Sequence, residues 1–145
     1  MKDVKRGKEE GRRQGVWIST ITPYLDSVYD VAHIHQGGRN RNFRNMLARL
    51  GSRAGTPDLI FHYKNEDGLS RFGFIEVKLE DNKTLVKNQL IFQEWCKKNE
   101  IPHYVVGYID TFIDVLDKHK VINKDSIYST QAGAIRIELI KEKMF

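Results

Sequence analysis

The chain has 145 residues, 40% of them hydrophobic and 30% charged, with a net charge of +5 and a pI near 9.3. That length and apolar share suit one globular domain around a single core, and the positive balance favours a polyanionic partner. A single cysteine, Cys96, excludes an internal disulfide and a cysteine-based zinc site, and fits a reducing compartment. The charged N-terminal stretch offers no apolar run long enough for a signal peptide or a membrane span, so a soluble, cytoplasmic protein is expected.

Residues from about Lys8 to Ile21 read as a first helix, with Trp17, Ile18 and Ile21 on one face and Pro23 ending the pattern. Glu10 and Gln14 lie on an adjoining side of that face. Val28 to His35 reads as a strand broken by Gln36-Gly37-Gly38. Phe43, Met46, Leu47 and Leu50 then have helical spacing, with Gly51 placed as a C-terminal cap. The runs from Gly55 to Ile60 and from Phe74 to Leu79 read as strands. Asn65-Glu66-Asp67-Gly68 between them is dense in turn formers and predicts an antiparallel hairpin.

Leu85 to Asn99 reads as a second long helix with Leu90, Ile91 and Trp95 directed inward, and Phe92 as a further candidate for that face. His103 to Ile109 is β-branched and aromatic, as a buried strand would be. Thr111 to His119 reads as a short amphipathic helix, capped by Thr111 and turning Phe112, Val115 and Leu116 inward. Near the end Ile135, Ile137 and Leu139 alternate with Arg136 and Glu138, which predicts a half-buried strand. The order α-β-α-β-β-α-β-α-β favours a mixed sheet flanked by helices, in one domain spanning 1–145.

The two hairpin strands carry charges inside apolar runs. Side chains alternate faces along a strand, so Glu76 and Lys78 share one face while Ile75, Val77 and Leu79 share the other. Antiparallel pairing lets Asp58, Glu76 and Lys78 converge at one end of the sheet. Charges in a half-buried sheet are costly unless they are paired or hold a metal. Two carboxylates and an ammonium there point to a hard-cation site with a lysine beside it. A Pro-Asp that merely opens a strand and a solvent-facing Glu-x-Lys pair are the competing readings. Glu76-Val77-Lys78, however, is the only Glu-x-Lys in the chain and lies inside an apolar run.

Basic residues are unevenly placed. Six fall between Lys2 and Arg13, and five arginines without any acid fall between Arg39 and Arg53, interleaved with Asn40, Asn42 and Asn45. The second stretch suits a phosphate-facing surface, with Arg39, Arg41, Arg44 and Arg53 as candidate contacts; a solvated helix face is the alternative. Cys96, beside Phe92 and Trp95, reads as a small core residue. His33 and His35 share a strand face, but no third ligand of suitable spacing follows, which sets zinc aside. His62 shares the Asp58 face, and a structural or substrate-contacting role is expected for it.

Taken in order, these motifs resemble the PD-(D/E)xK nuclease superfamily, and most closely its VRR-NUC family of small virus-type nucleases. The resemblance runs from about Glu9 to His119, leaving 120–145 as a C-terminal extension. Glu10-x-x-x-Gln14 looks like the family's Glu-x-x-x-Gln helix motif. Ile34-His35-Gln36-Gly37-Gly38-Arg39 resembles its apolar-Pro-Asn-Gly-Gly-Lys/Arg segment, with His35 and Gln36 where the family has Pro-Asn. Ala54-Gly55-Thr56-Pro57-Asp58-Leu59 resembles its Gly-x-Pro-Asp-Leu, and Phe74-Ile75-Glu76-Val77-Lys78 its Glu-x-Lys strand. Gln89 looks like the glutamine that opens the next helix.

The resemblance implies a restriction-endonuclease-like fold and a Mg²⁺ or Mn²⁺ ion held by Asp58, Glu76 and the backbone carbonyl of Val77, with Glu10 reaching it directly or through water. Hard cations select oxygen ligands, polarise a phosphate and lower the pKa of bound water. Lys78 would orient or deprotonate that water and offset transition-state charge. Gln14 and Gln89 would line the site in support. For Glu10 the rival reading is a solvated first-turn acid, with Glu9 competing for its role; for Gln89 it is an ordinary polar helix position.

The expected function is a metal-dependent endonuclease acting on DNA; the resemblance further implies branched or structured substrates such as four-way (Holliday) junctions and a homodimer, whose paired sites would suit two symmetric strands. One rival is a binding module of the same fold that has lost cleavage, against which the complete Asp58, Glu76 and Lys78 set argues. The other is an RNA-binding or structural phage-type protein that relies on its basic helix alone.

Overall fold

The computed structural model describes residues 2–34, 55–79 and 84–143. The helix expected around Phe43 to Leu50, and the arginines at 39, 41, 44 and 53, lie outside the described residues. The elements in chain order are α1 (Lys2–Ile21), β1 (Val31–His33), β2 (Leu59–Lys64), β3 (Ser70–Val77), α2 (Lys87–Lys98), β4 (His103–Val106), α3 (Ile109–Lys118), α4 (Lys124–Tyr128) and α5 (Gln131–Glu142).

The four strands form one sheet in the order β1-β2-β3-β4. The first three run antiparallel to their neighbours, and β3 pairs parallel with β4. A parallel pair needs a crossover, and α2 supplies it. The expected hairpin is present, with Leu59 opposite Ile75 and Lys64 opposite Ser70. Its turn is organised by Asn65, whose Oδ1 accepts from the backbone amides of Asp67 and Leu69, each at 3.0 Å.

Alternation divides the sheet into two faces. Val31, Leu59, Phe61, Ile75, Val77 and Val106 point to one face and are buried there with Trp17 and Ile21 of α1, Phe112, Ile113 and Leu116 of α3, Ile127 of α4, and Ile137 and Ile140 of α5. Trp17 meets Phe112 at a centroid distance of 5.4 Å. Gly73 lies opposite Phe61, and a Cβ there would come within 2.3 Å of the Phe61 ring, so the strand has no side chain where the ring lies. Arg13, itself buried, ties α1 to the end of β4 by donating to the Gly107 carbonyl at 2.6 Å. The other face carries Ile60, His62, Phe72, Phe74 and Glu76, and α2 packs over part of it through Phe92, edge-on to Phe74 at 5.1 Å.

Several sequence expectations are corrected. Ile135, Ile137 and Leu139 lie in helix α5 and not in a strand. Thr130 caps that helix, its Oγ1 accepting from the Gly133 amide at 3.0 Å, and the buried positions Gly133, Ile137 and Ile140 follow a helical period. On α2 the inward face is narrower than the apolar residues suggested: Cys96 is buried and Phe92 half-buried, whereas Leu90, Ile91 and Trp95 are exposed. Helix α3 begins at Ile109, with Tyr108 and not Thr111 at the N-cap. Val28 to Asp30 forms a 3-10 turn closed by Ser27 and Asp30, which shortens the expected first strand to Val31–His33. Among the described residues no helix is long and apolar enough to cross a membrane.

Candidate active site

Asp58 stands just before β2, at the end of a Gly-Thr-Pro approach whose first residue is fixed by packing. Gly55 has φ +88, and a Cβ on it would fall 2.3 Å from the Asn88 carbonyl oxygen of α2. Only glycine meets both conditions cheaply. The main-chain carbonyl of Asp58 accepts from Ile34 N at 2.9 Å, extending the β1–β2 ladder. Its side chain turns to the neighbouring strand, where Oδ2 accepts from Val77 N at 2.8 Å.

Glu76 lies near the end of β3 and is 4% exposed. Gln89, in the first turn of α2, links it to the lysine: its Nε2 donates to Glu76 Oε1 at 2.9 Å, and its Oε1 accepts from Lys78 Nζ at 3.1 Å. The same Oε1 accepts from Val86 N at 3.0 Å, which fixes the amide's orientation at the helix start. Lys78 Nζ is 3.9 Å from Glu76 Oε1, an ion-pair distance with both side chains largely buried. Gln89 is therefore a bridge between the carboxylate and the ammonium, not an ordinary polar helix position.

Burial raises the Asp58 carboxyl above its ordinary value, against the lowering effects of the Val77 amide, a hydrogen bond with Glu76, and the Lys78 charge. Glu76 is pushed up to about 9, first by burial, then by the Asp58 charge and the hydrogen bond with Asp58; Glu10 adds to the rise and Lys78 opposes it. Two carboxylates that hydrogen-bond each other need a proton between them. Burial raises both carboxyls, so without a cation the pair favours one shared proton.

The first helix adds two of the expected residues. Gln14 hydrogen-bonds Asp58, and its Oε1 also lies 3.2 Å from His33 Nδ1. Glu10 is half-buried one turn away and acts on Glu76 through its charge, whereas Glu9 is exposed; Glu10 is the acid that faces the site. Among the described residues no group of three or more His, Cys, Asp and Glu side chains is gathered as metal ligands would be. The anionic centre is the Asp58–Glu76 pair, with Glu10 at the level of a charge neighbour.

His33 was not foreseen in this network. Its place on β1 beside the edge of α1 gives it Gln14 as a partner, and only the pairing of those two elements reveals it. His62 has a structural partner set of its own: Nδ1 lies 3.1 Å from Asp30 Oδ1 and Nε2 2.9 Å from Ser70 Oγ. Cys96 is buried, and burial pushes its thiol up to about 11, which fits a core residue and not a nucleophile.

No protein-family model and no curated protein matches the chain. Among solved structures, it is similar to a VRR_NUC domain protein at 21% identity, with a TM-score of 0.59, over 77% of this chain and 88% of that one. The chain has the VRR-NUC fold. In this architecture the mixed sheet and its flanking helices bring together, from separate parts of the sequence, Gln14 on α1, Asp58 ahead of β2, Glu76 and Lys78 on and after β3, and Gln89 on α2.

Proposed function

We propose that this chain is a metal-dependent endonuclease that hydrolyses DNA phosphodiester bonds, acting on branched or structured DNA such as four-way junctions, and doing so inside the cell as a homodimer. The observation that carries the reading is the neighbouring Asp58 and Glu76 carboxylates, the first held by the Val77 amide and the second by Gln89, which also accepts from Lys78. A pair of this kind is satisfied either by a proton or by a cation.

The donor set fits Mg²⁺ or Mn²⁺. Every candidate ligand is oxygen: the Asp58 and Glu76 carboxylates, the Val77 main-chain carbonyl and, directly or through water, the Glu10 carboxylate. Magnesium in particular is held by one or two carboxylates, with waters and substrate phosphate completing its shell. When bound, such an ion supplies a polarised phosphate and a water of lowered pKa. Asp58, fastened to the Val77 amide, and Glu76, fastened to Gln89, would hold it without rearranging the strands. Lys78, steadied by Gln89, offers its ammonium on the same side to orient the attacking water and offset charge on the phosphate. Gln14 would steady Asp58 from the opposite helix.

The test is cleavage of linear, nicked, flap and four-way DNA with Mg²⁺, Mn²⁺, Ca²⁺ or EDTA. Cleavage with Mg²⁺ or Mn²⁺, lost in EDTA and strongest on the branched substrates, is the expected result. Metal-independent cleavage, or binding without cleavage under every condition, would overturn it.

A further inference from the structure

The face of the sheet that carries Glu76 continues away from the carboxylates through Phe74 and Phe72 on β3, opposite Ile60 and His62 on β2. Phe74 is covered by Phe92 of α2. Phe72, two residues further along the same face, is 53% exposed. Its ring centroid is 5.4 Å from that of His62, and His62 is held at both ring nitrogens, by Asp30 and by Ser70. Asp30 is itself anchored, because its Oδ2 accepts from Ser27 N at 3.2 Å. Tyr29, on the 3-10 turn that supplies Asp30, is 86% exposed.

A cross-strand ring pair supports a hairpin by itself. That role does not call for a phenyl ring left half in water against a partner fixed from both sides. A rigid aromatic with one free face is what a nucleobase stacks on, whatever its sequence, because every base has a π-face. We propose that Phe72, flanked by His62 at a ring angle of 50°, is a stacking platform for an unpaired base of the DNA strand being cut. This rests on the nuclease reading of the Asp58–Glu76 site and narrows its substrate.

Spacing is compatible with the assignment, the DNA strand passing on the β2 side of Phe92 and not over Phe74. Four residues of strand separate Phe72 from Glu76, roughly 13 Å at ~3.3 Å per residue. A stacked strand covers that length in about four nucleotides at ~3.4 Å each, and an extended strand covers it in fewer. Bases inside a paired duplex are stacked on their neighbours and cannot reach the ring. The platform therefore selects DNA with an unpaired stretch a few nucleotides from the scissile phosphate, which flaps and open junctions have and blunt duplexes lack.

The experiment is equilibrium binding with Ca²⁺ in place of Mg²⁺, so that cleavage does not enter, using single-stranded DNA, a flap and a blunt duplex. Phe72→Ala and Phe72→Leu should each weaken single-strand and flap binding about tenfold, the scale of removing one base–aromatic stack, and leave duplex binding unchanged. Phe72→Trp should bind as wild type, and its added emission, taken as the difference from wild type, should be quenched by single-stranded DNA. The quenching reads the platform even if the smaller residues prevent folding. Wild-type affinity in Phe72→Leu would make the site a simple apolar contact, such as a protein partner would use, and would overturn the proposal. So would unquenched emission or an equal loss on the duplex. If wild type binds DNA and Phe72→Ala binds it equally well, only the platform fails; if wild type binds none of the three DNAs, the nuclease reading fails with it.

Discussion

Asp58 accepts a 2.8 Å hydrogen bond from the backbone amide of Val77, so the carboxylate that precedes one strand is fastened to the strand carrying its partner, Glu76. The pair is thus set by sheet register and not by a mobile loop. A slip of β3 by one residue would send Glu76 to the core face with Ile75 and Val77.

Because the acidic pair, the lysine and their connections act as a unit, Asp58→Ala, Glu76→Ala and Lys78→Ala should each lower DNA cleavage by roughly a thousandfold or more while leaving the far-UV spectrum intact. The Asp58→Ala/Lys78→Ala double variant should be little worse than either single one. Robust cleavage by a folded Glu76→Ala protein would contradict the assigned roles.

Stability should depend on pH in a direction that Glu76 dictates. Its folded-state pKa, about 9, lies above the ordinary value of 4.5, chiefly through burial and then the Asp58 charge. Between those values the folded state keeps a proton that the unfolded chain releases, so stability falls as pH rises from about 4.5 to about 9. In EDTA the melting temperature should decline across that range, and Glu76→Gln should flatten the decline and melt higher than wild type at pH 8. Millimolar Mn²⁺ at ten times its Kd should restore about 1.4 kcal/mol to wild type and nothing to Glu76→Gln. Equal metal shifts in the two proteins would place the ion elsewhere.

Gln89 touches both Glu76 and Lys78, and Gln89→Leu keeps the bulk while removing both bonds. With its bridge gone the ammonium is no longer steadied. The expected loss is about 10- to 100-fold in kcat, the range for partners that orient reacting groups, with DNA affinity in Ca²⁺ unchanged. A fall in affinity equal to the fall in rate would make Gln89 a DNA contact instead.

Two glycines should respond in opposite directions to the same substitution. Gly55→Ala drives a methyl group into the Asn88 backbone at a positive φ and should cost about 1–3 kcal/mol or more in urea unfolding, with cleavage reduced as Asp58 shifts. Gly11→Ala, on α1 with nothing within 4 Å of the new methyl, should stabilise by about 0.5–1 kcal/mol.

The arginine-rich stretch makes its own prediction. If Arg39, Arg41, Arg44 and Arg53 meet phosphates, replacing them with glutamine should weaken DNA binding on all sequences. The salt slope should fall by about one unit for each phosphate no longer neutralised. An unchanged slope after all four replacements returns them to solvent.

The hairpin and its charges were legible because a period of two, a turn-forming bridge and misplaced acids are all local signals. The same local signal misled at Ile135, Ile137 and Leu139. Three alternating apolar residues fit a strand, but the period that counts runs through Gly133, Ile137 and Ile140: Ile137 and Ile140 reach the core while Ile135 and Leu139 stay outside. The Thr130 cap ahead of Gly133 was the available warning. Leu90, Ile91 and Trp95 show the converse, since an apolar residue need not be inward once Phe92 and Cys96 already fill the interface. At the site, Asp58, Glu76 and Lys78 could be joined by alternation alone. The links through Gln14 and Gln89 depend on how α1 and α2 dock against the sheet, which spacing along the chain does not encode.

The placement of Ile137 and Ile140 in the same core as Trp17 has a consequence for the order of synthesis. A nascent chain that has emerged only as far as Lys118 already holds every strand and both carboxylates of the site, yet the inner surfaces of α1 and α3 still lack α4 and α5. That chain exposes apolar surface of the kind chaperones hold. Packing of Ile137 and Ile140 against that surface completes the core behind the strands that carry the acidic pair.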